Sequence, residues 1–168
     1  AVPAVPLGVR VGLVHEHQPV GRVPHGHWKT LTVVAALTAG GLVATATVDG
    51  PMTAEVFARW VEADLVPCLR PGDVVVLDNL AAHKGRRVRE LVERAGCRVE
   101  YLPPYSPDLN PIEMAFSKLK GLLRGLAERT VPGLVEWLGW LVHLFTPEEC
   151  RNYIRHSGYD ATSKPEPL

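Results

Sequence analysis

Apolar positions along the chain follow two periods. LTVVAALT (Leu31 to Thr38) is rich in β-branched residues, and LVATATV (Leu42 to Val48) repeats that character after Gly40-Gly41, so the stretch predicts a β-hairpin. The run VVVL (Val74 to Leu77) is continuously apolar between the turn Arg70-Pro71-Gly72-Asp73 and Asp78, as expected for a strand buried on both faces. RVEYL (Arg98 to Leu102) predicts a further strand. Helical spacing appears elsewhere. Val56, Trp60, Val61 and Leu65 predict an amphipathic helix that opens after Thr53 and stops near Pro67. Val88, Leu91, Val92 and Ala95 share one face of a second helix, with Gly96 as its stop. The rigid turn PPYSPDLNP leads into a helix from Pro111 to Leu126, with Asn110 as N-cap and Pro111 at its first position. VPGLVEWLGWLVHLF and TPEECRNYIRHSGY predict two more, the second opened by Thr146, Pro147 and Glu149 in a capping-box arrangement. Trp60, Trp137 and Trp140 fall on apolar helical faces and are expected in the core. Before Trp28, the mixture of Pro3, Pro6, Gly8, Gly12, Pro19, Gly21 and Pro24 with short apolar pieces predicts turns and loops, an irregular segment over 1–22. Strand, helix and strand succeed one another as in parallel units, which makes the class α/β.

Composition bounds this picture. A chain of 168 residues with 46% hydrophobic content supports one domain with a real core. Lysine plus arginine and aspartate plus glutamate both total 18, so any pull toward nucleic acid must come from local patches. Cys68, Cys97 and Cys150 are scattered and never paired as C-x-x-C, which argues against a zinc knuckle or a disulfide framework and fits a reducing cytoplasm. No apolar run approaches the length that spans a bilayer, so no membrane association is expected. The last residues, 161–168, read as a flexible tail.

The candidate chemistry is carboxylate chemistry. The buried strand ending in Asp78-Asn79 delivers an acid to the C-terminal edge of a sheet, where open α/β folds place their ligand sites. Glu113 stands in the first turn of the helix that follows the proline-rich turn. Two carboxylates on separate rigid elements suit a magnesium site, because hard divalent cations take oxygen ligands. Each also has a plain structural role: Asp78 as a strand-closing turn residue, Glu113 as the reciprocal partner in a capping box. His83 is a candidate polar residue near a phosphate, and His25 with His27 lacks the third ligand that a zinc site needs. Arg86, Arg87 and Arg89, and separately Lys118, Lys120 and Arg124, make two basic helical faces, solvated by default and phosphate-binding in the sharper reading.

The segments VPHGHWKT, DGPMTAEVF, LDNLAAHK, YLPPYSPDLNPIE and FSKLK together resemble the DDE catalytic domain of mariner-like insertion-sequence transposases. The resemblance covers about Val23 to Tyr159 and implies a ribonuclease-H-like mixed sheet flanked by helices over 23–160. It implies metal-dependent cleavage and transfer of DNA strands during transposition, with two Mg²⁺ or Mn²⁺ ions activating water or a 3′-hydroxyl. Asp78 and Glu113 would be its second and third catalytic, metal-holding acids. His83, Lys84, Arg86, Arg87, Lys118 and Lys120 would contact DNA. Partners would be transposon ends and target DNA, with a homodimer possible, in the nucleoid of a bacterial-type cell. In that family the first aspartate ends the first strand. No aspartate precedes Asp49 here, and Glu16 is the only acid upstream of it. The expectation is therefore a chain incomplete at its N-terminus, with the first strand lacking or altered and no activity by itself. The alternative is a remnant that keeps the fold as a DNA- or partner-binding module.

Overall fold

A computed structural model describes residues 9–14, 31–126 and 130–159. Five strands form one mixed sheet in the order β3-β2-β1-β4-β5: β1 (Val9–Val14), β2 (Leu31–Thr38), β3 (Gly41–Asp49), β4 (Val74–Leu77) and β5 (Arg98–Tyr101). β2 and β3 form the expected hairpin, and β2 runs antiparallel to β1. β4 runs parallel to β1 on one side and to β5 on the other, which requires crossover helices. These are α1 (Ala54–Trp60), extended by wider and tighter turns to Cys68, and α2 (Arg86–Arg94). Among the described residues three further helices follow: α3 (Ile112–Leu126), α4 (Val131–Leu141) and α5 (Pro147–His156).

The first strand corrects the sequence reading. The segment expected to be irregular holds β1, and β1 is the central strand, paired over Val11↔Leu37 to Val14↔Val34 on one edge and from Val9↔Val74 on the other. Its six residues, VRVGLV, carry a weak local signal because Gly12 interrupts them and Pro3, Pro6 and Gly8 precede them. Pairing on both edges, which no local window contains, makes the strand.

Alternation along the strands divides the core into two layers. Val33, Ala35 and Leu37 of β2 with Val74 and Val76 of β4 pack under α3, α4 and α5, through Ile112, Phe116, Leu119, Leu134, Leu138 and Ile154 among others. Val34 and Ala36 with Val75 and Leu77 pack on the opposite face under α1 and α2, through Phe57, Trp60, Val61, Leu65, Val88 and Val92. All four residues of β4 are therefore buried, as a central parallel strand requires. Trp60 is buried and its indole N–H donates to Ala44 O at 2.7 Å. Trp137 and Trp140 are not core, being 41% and 68% exposed. α4 buries the stripe Leu134, Leu138 and Leu141, and at 100° per residue the two tryptophans sit roughly 60° and 120° away from its centre. No helix among the described residues is long and apolar enough to cross a membrane.

Candidate active site

Asp78 follows β4 directly, at the sheet edge where β5 also ends, and Leu102 N–H continues the β5 pairing to Leu77 O at 2.8 Å. Asp78 Oδ1 accepts the Leu80 N–H at 3.1 Å, the turn-closing bond that a structural aspartate makes. The same oxygen also pairs with His83 Nδ1. Oδ2 carries no hydrogen bond among the described residues, so the turn role occupies one oxygen and leaves the other.

His83, expected at the DNA surface, is buried. It is 1% exposed, its ring lies 4.2 Å from that of Phe57 between centroids, and its carbonyl accepts the Tyr101 hydroxyl at 3.2 Å. The turn Ala81–His83 folds the chain back so that the imidazole sits under Asp78, and so it reaches the sheet edge only through that carboxylate. Nε2 is buried with no partner among the described residues. The tautomer that satisfies this network carries its proton on Nδ1 and donates it to Asp78. An imidazole donor behind a carboxylate is how liganding side chains are oriented at metal sites.

Glu113 is half-buried in the first turn of α3, whose apolar residues Ile112, Ala115 and Phe116 anchor it in the core. Its N–H donates to Asn110 O at 3.2 Å. The Asn110 side chain does not cap the helix as expected. That residue is 5% exposed, and its Oδ1 has no hydrogen-bond partner among the described residues. Asp78, Asn79, Asn110 and Glu113 line one cleft of about 450 Å³, with Leu80 and Tyr105 also on its walls. Two carboxylates and an unpaired amide oxygen form a donor set of hard oxygens, which fits Mg²⁺ or Mn²⁺ in kind. The described residues hold no group of three or more His, Cys, Asp or Glu that could bind a metal by themselves.

The basic residues separate into two places. α2 packs on one face of the sheet and α3 on the other, so Arg86 and Arg87 do not join Lys118 and Lys120 in a single patch. Arg86 pairs with Glu90 at 2.6 Å and Arg87 with Glu62 at 2.7 Å, both exposed, and Lys84 is exposed beside them. Lys118 is committed: it donates to Glu149 Oε2 at 2.6 Å and to Leu144 O at 3.0 Å, and lies 4.7 Å from the centre of the Phe145 ring. Lys120 is half-buried on the same helix. Glu16, His25, His27 and Lys29 lie outside the described residues.

Residues 15–130 match the family described as DDE superfamily endonuclease, more than half of the chain. The chain belongs to that family. Its fold is that of the mariner transposase catalytic domain: against the Mos1 catalytic domain the TM-score is 0.66 at 17% identity, over 89% of this chain and 75% of that one. The Mos1 catalytic domain with Raltegravir and Mg aligns with a TM-score of 0.64 at 17% identity, over 89% and 76%. The Mos1 strand transfer complex aligns at 0.63 and 18% identity, over 89% of this chain and 50% of that one, so the chain spans half the length of the transposase in that complex. No curated protein matches the chain. With the ribonuclease-H-like fold in place, two features of this DDE domain were not anticipated in the sequence: the His83 support behind Asp78, and the Tyr101 hydroxyl that holds the His83 carbonyl. The spacing of five between Asp78 and His83 was the available signal, since one short turn closes that distance.

Proposed function

We propose that this chain is the catalytic core of an insertion-sequence transposase, acting on DNA phosphodiesters at the cleft between Asp78 and Glu113. The observation that carries the reading is that a strand-end acid and a helix-start acid, 35 positions apart in sequence, line one cleft in a DDE-family domain. Transposon ends and target DNA are its partners, in a paired arrangement of two copies, as the Mos1 paired-end complex with the left transposon end suggests by analogy. Mg²⁺ or Mn²⁺, two ions in an intact site, would be held by Asp78 and Glu113 and would supply charge stabilisation at the scissile phosphate. Asp78 is steadied through Oδ1 by Leu80 N–H and His83, which leaves Oδ2 as its liganding atom. Glu113 is steadied by the anchored first turn of α3. The nucleophile is water in cleavage and a 3′-hydroxyl in joining. It forms a P–O bond as the opposite P–O bond breaks, its proton passing to solvent and the departing oxygen taking one back.

The resemblance puts the family's first acid at the end of the first strand. β1 ends at Val14, and His15 and Glu16 follow in sequence. A histidine at the head of that pair favours a second reading, an inactive remnant that keeps the fold. The test is Mn²⁺-dependent nicking of supercoiled plasmid by the chain, by His15→Asp, by Glu16→Gln and by His15→Asp/Asp78→Asn. Nicking by His15→Asp, absent from the chain itself and abolished by Asp78→Asn, supports a core that lacks only its first acid. Nicking by the unaltered chain that Glu16→Gln removes would assign the first acid to Glu16. Metal-dependent nicking that survives Asp78→Asn overturns the site, and no nicking by any variant favours the remnant.

A further inference from the structure

Asn110 buries a polar group that the fold does not use. The residue is 5% exposed, and its Oδ1 is closed to bulk water with no hydrogen-bond partner among the described residues. An acceptor left unpaired in the interior forfeits its hydration, which is why nearly all buried polar groups have partners. Helix α3 does not supply one. The Glu113 N–H donates to the Asn110 main-chain oxygen at 3.2 Å, and Pro111 has no N–H to offer. The backbone that carries the amide is firmly held. Its own N–H donates to Pro107 O at 2.9 Å, Pro107 and Pro111 restrict the chain before and after it, and the Tyr159 hydroxyl reaches across 50 residues to donate to Leu109 O at 2.9 Å. From this support Asn110 lines the cleft that Asp78 and Glu113 line.

We propose that Asn110 supplies a third protein oxygen to a divalent cation held by Asp78 and Glu113, a neutral ligand beside two charged ones. The inference rests on the reading of the cleft as a metal-dependent DNA-cleaving site. Size favours a bare cation over a trapped water. Oδ1 is closed to bulk water, and a water needs about 2.8 Å to its acceptor, whereas Mg²⁺ takes its oxygens at about 2.1 Å. Charge fits as well, because two carboxylates balance one divalent cation and an amide oxygen adds a bond without adding charge. Among the described residues no third His, Cys, Asp or Glu joins the two acids, so a third side-chain ligand there is of another kind. An amide keeps the set to hard oxygens, as Mg²⁺ and Mn²⁺ prefer, where an imidazole or thiolate would favour softer metals.

The test follows Mn²⁺ binding to the full chain by loss of the free-ion EPR signal, and thermal unfolding with EDTA or Mn²⁺ present. Asn110→Leu keeps the branched shape and removes the oxygen, whereas Asn110→Asp keeps the oxygen and adds charge. Loss of a group that merely supports a metal ligand weakens binding about 10–100-fold, so Asn110→Leu is expected to bind Mn²⁺ at least about tenfold more weakly. Its Tm in EDTA should stay at or above that of the unaltered chain, since an unpaired buried oxygen has gone. Asn110→Asp is expected to melt lower in EDTA, because three carboxylates then share one cleft, to bind Mn²⁺ more tightly than the chain and to be stabilised more by it. An amide with a structural role alone gives no such gain, and Asn110→Asp decides the matter if Asn110→Leu does not fold. Binding by Asn110→Asp no tighter than that of the chain, or by Asn110→Leu equal to it, overturns the amide ligand, and the carboxylate cleft still stands where Asp78→Asn weakens binding. Mn²⁺ uptake that Asp78→Asn leaves unchanged, or no uptake by the unaltered chain, removes the cleft reading itself, and the third ligand with it.

Discussion

Lys118 separates a structural role from a nucleic-acid role by one substitution. Lys118→Met keeps the apolar stem and removes the ammonium, with its bonds to Glu149 at 2.6 Å and Leu144 O at 3.0 Å and its place over Phe145. The two ion-pair side chains are 31% and 27% exposed, so solvent screens the pair and it is worth about 1 kcal/mol rather than the value of a buried one. The bond to a carbonyl at the end of a helical turn adds about 0.5–1 kcal/mol, and the ring contact about 0.5 kcal/mol. Since the three share one nitrogen they do not add fully, and about 2 kcal/mol is expected. For a domain of this size each kcal/mol lowers Tm by about 2–4 °C, which makes the expected shift about 4–8 °C. The assay is thermal unfolding of Lys118→Met beside Lys84→Met, whose exposed side chain should leave Tm unchanged, with DNA affinity measured across a salt series. A melt of Lys118→Met within about 1 °C of the unaltered chain refutes the structural role. A fall of about one in the salt slope of binding would instead show a phosphate contact at Lys118.

Asp78→Ala should cost about 1–3 kcal/mol, because it leaves the buried His83 with neither ring nitrogen paired. His83→Phe, which keeps a ring against Phe57, should restore most of that loss in the double variant, and urea unfolding of both checks it. The α3–α5 junction should also weaken in alkali. The Cys150 thiol is pushed up to about 11, by burial first and then by the neighbouring Glu149 charge, and the Tyr153 hydroxyl is raised by burial and by its bond to Glu149. A folded pKa above the unfolded one gives stability that is complete below the unfolded value and is lost as pH rises, here between 9 and about 11 for Cys150. Cys150→Ala should flatten this fall, and equal slopes for both proteins in urea unfolding at stepped pH would contradict it. Toward acid the sign reverses. Burial alone would raise Glu149, but its bonds to Lys118, Tyr153 and the Thr146 backbone hold it below the usual carboxylate value, so its contribution is present at neutral pH and lost as pH falls through the folded pKa.

Features set within a few residues were legible in the sequence. Four apolar residues in a row made β4, a two-residue turn made the β2–β3 hairpin, Gly96 at φ +75° ended α2, and Thr146 capped α5 by accepting the Glu149 N–H. The placement of Asp78 at a strand end and of Glu113 at a helix start was legible as well, since such ends are marked locally. Tertiary structure decided the rest. β1 exists through pairing on both edges with strands that come later in the chain, which no property of VRVGLV announces. Lys118 looks like any lysine on a polar helical face until α5 brings Glu149 to it from 31 residues away. Trp137 and Trp140 share an apolar helix with the buried leucines, and only the direction in which α4 docks leaves them outside. His83 reads as a loop histidine because burial depends on Phe57 from one element and Tyr101 from another closing over it. Periodicity and capping act over one or two turns of chain and are written there, whereas burial and pairing depend on which distant surfaces meet, and that is settled only when the sheet and its two helical layers come together.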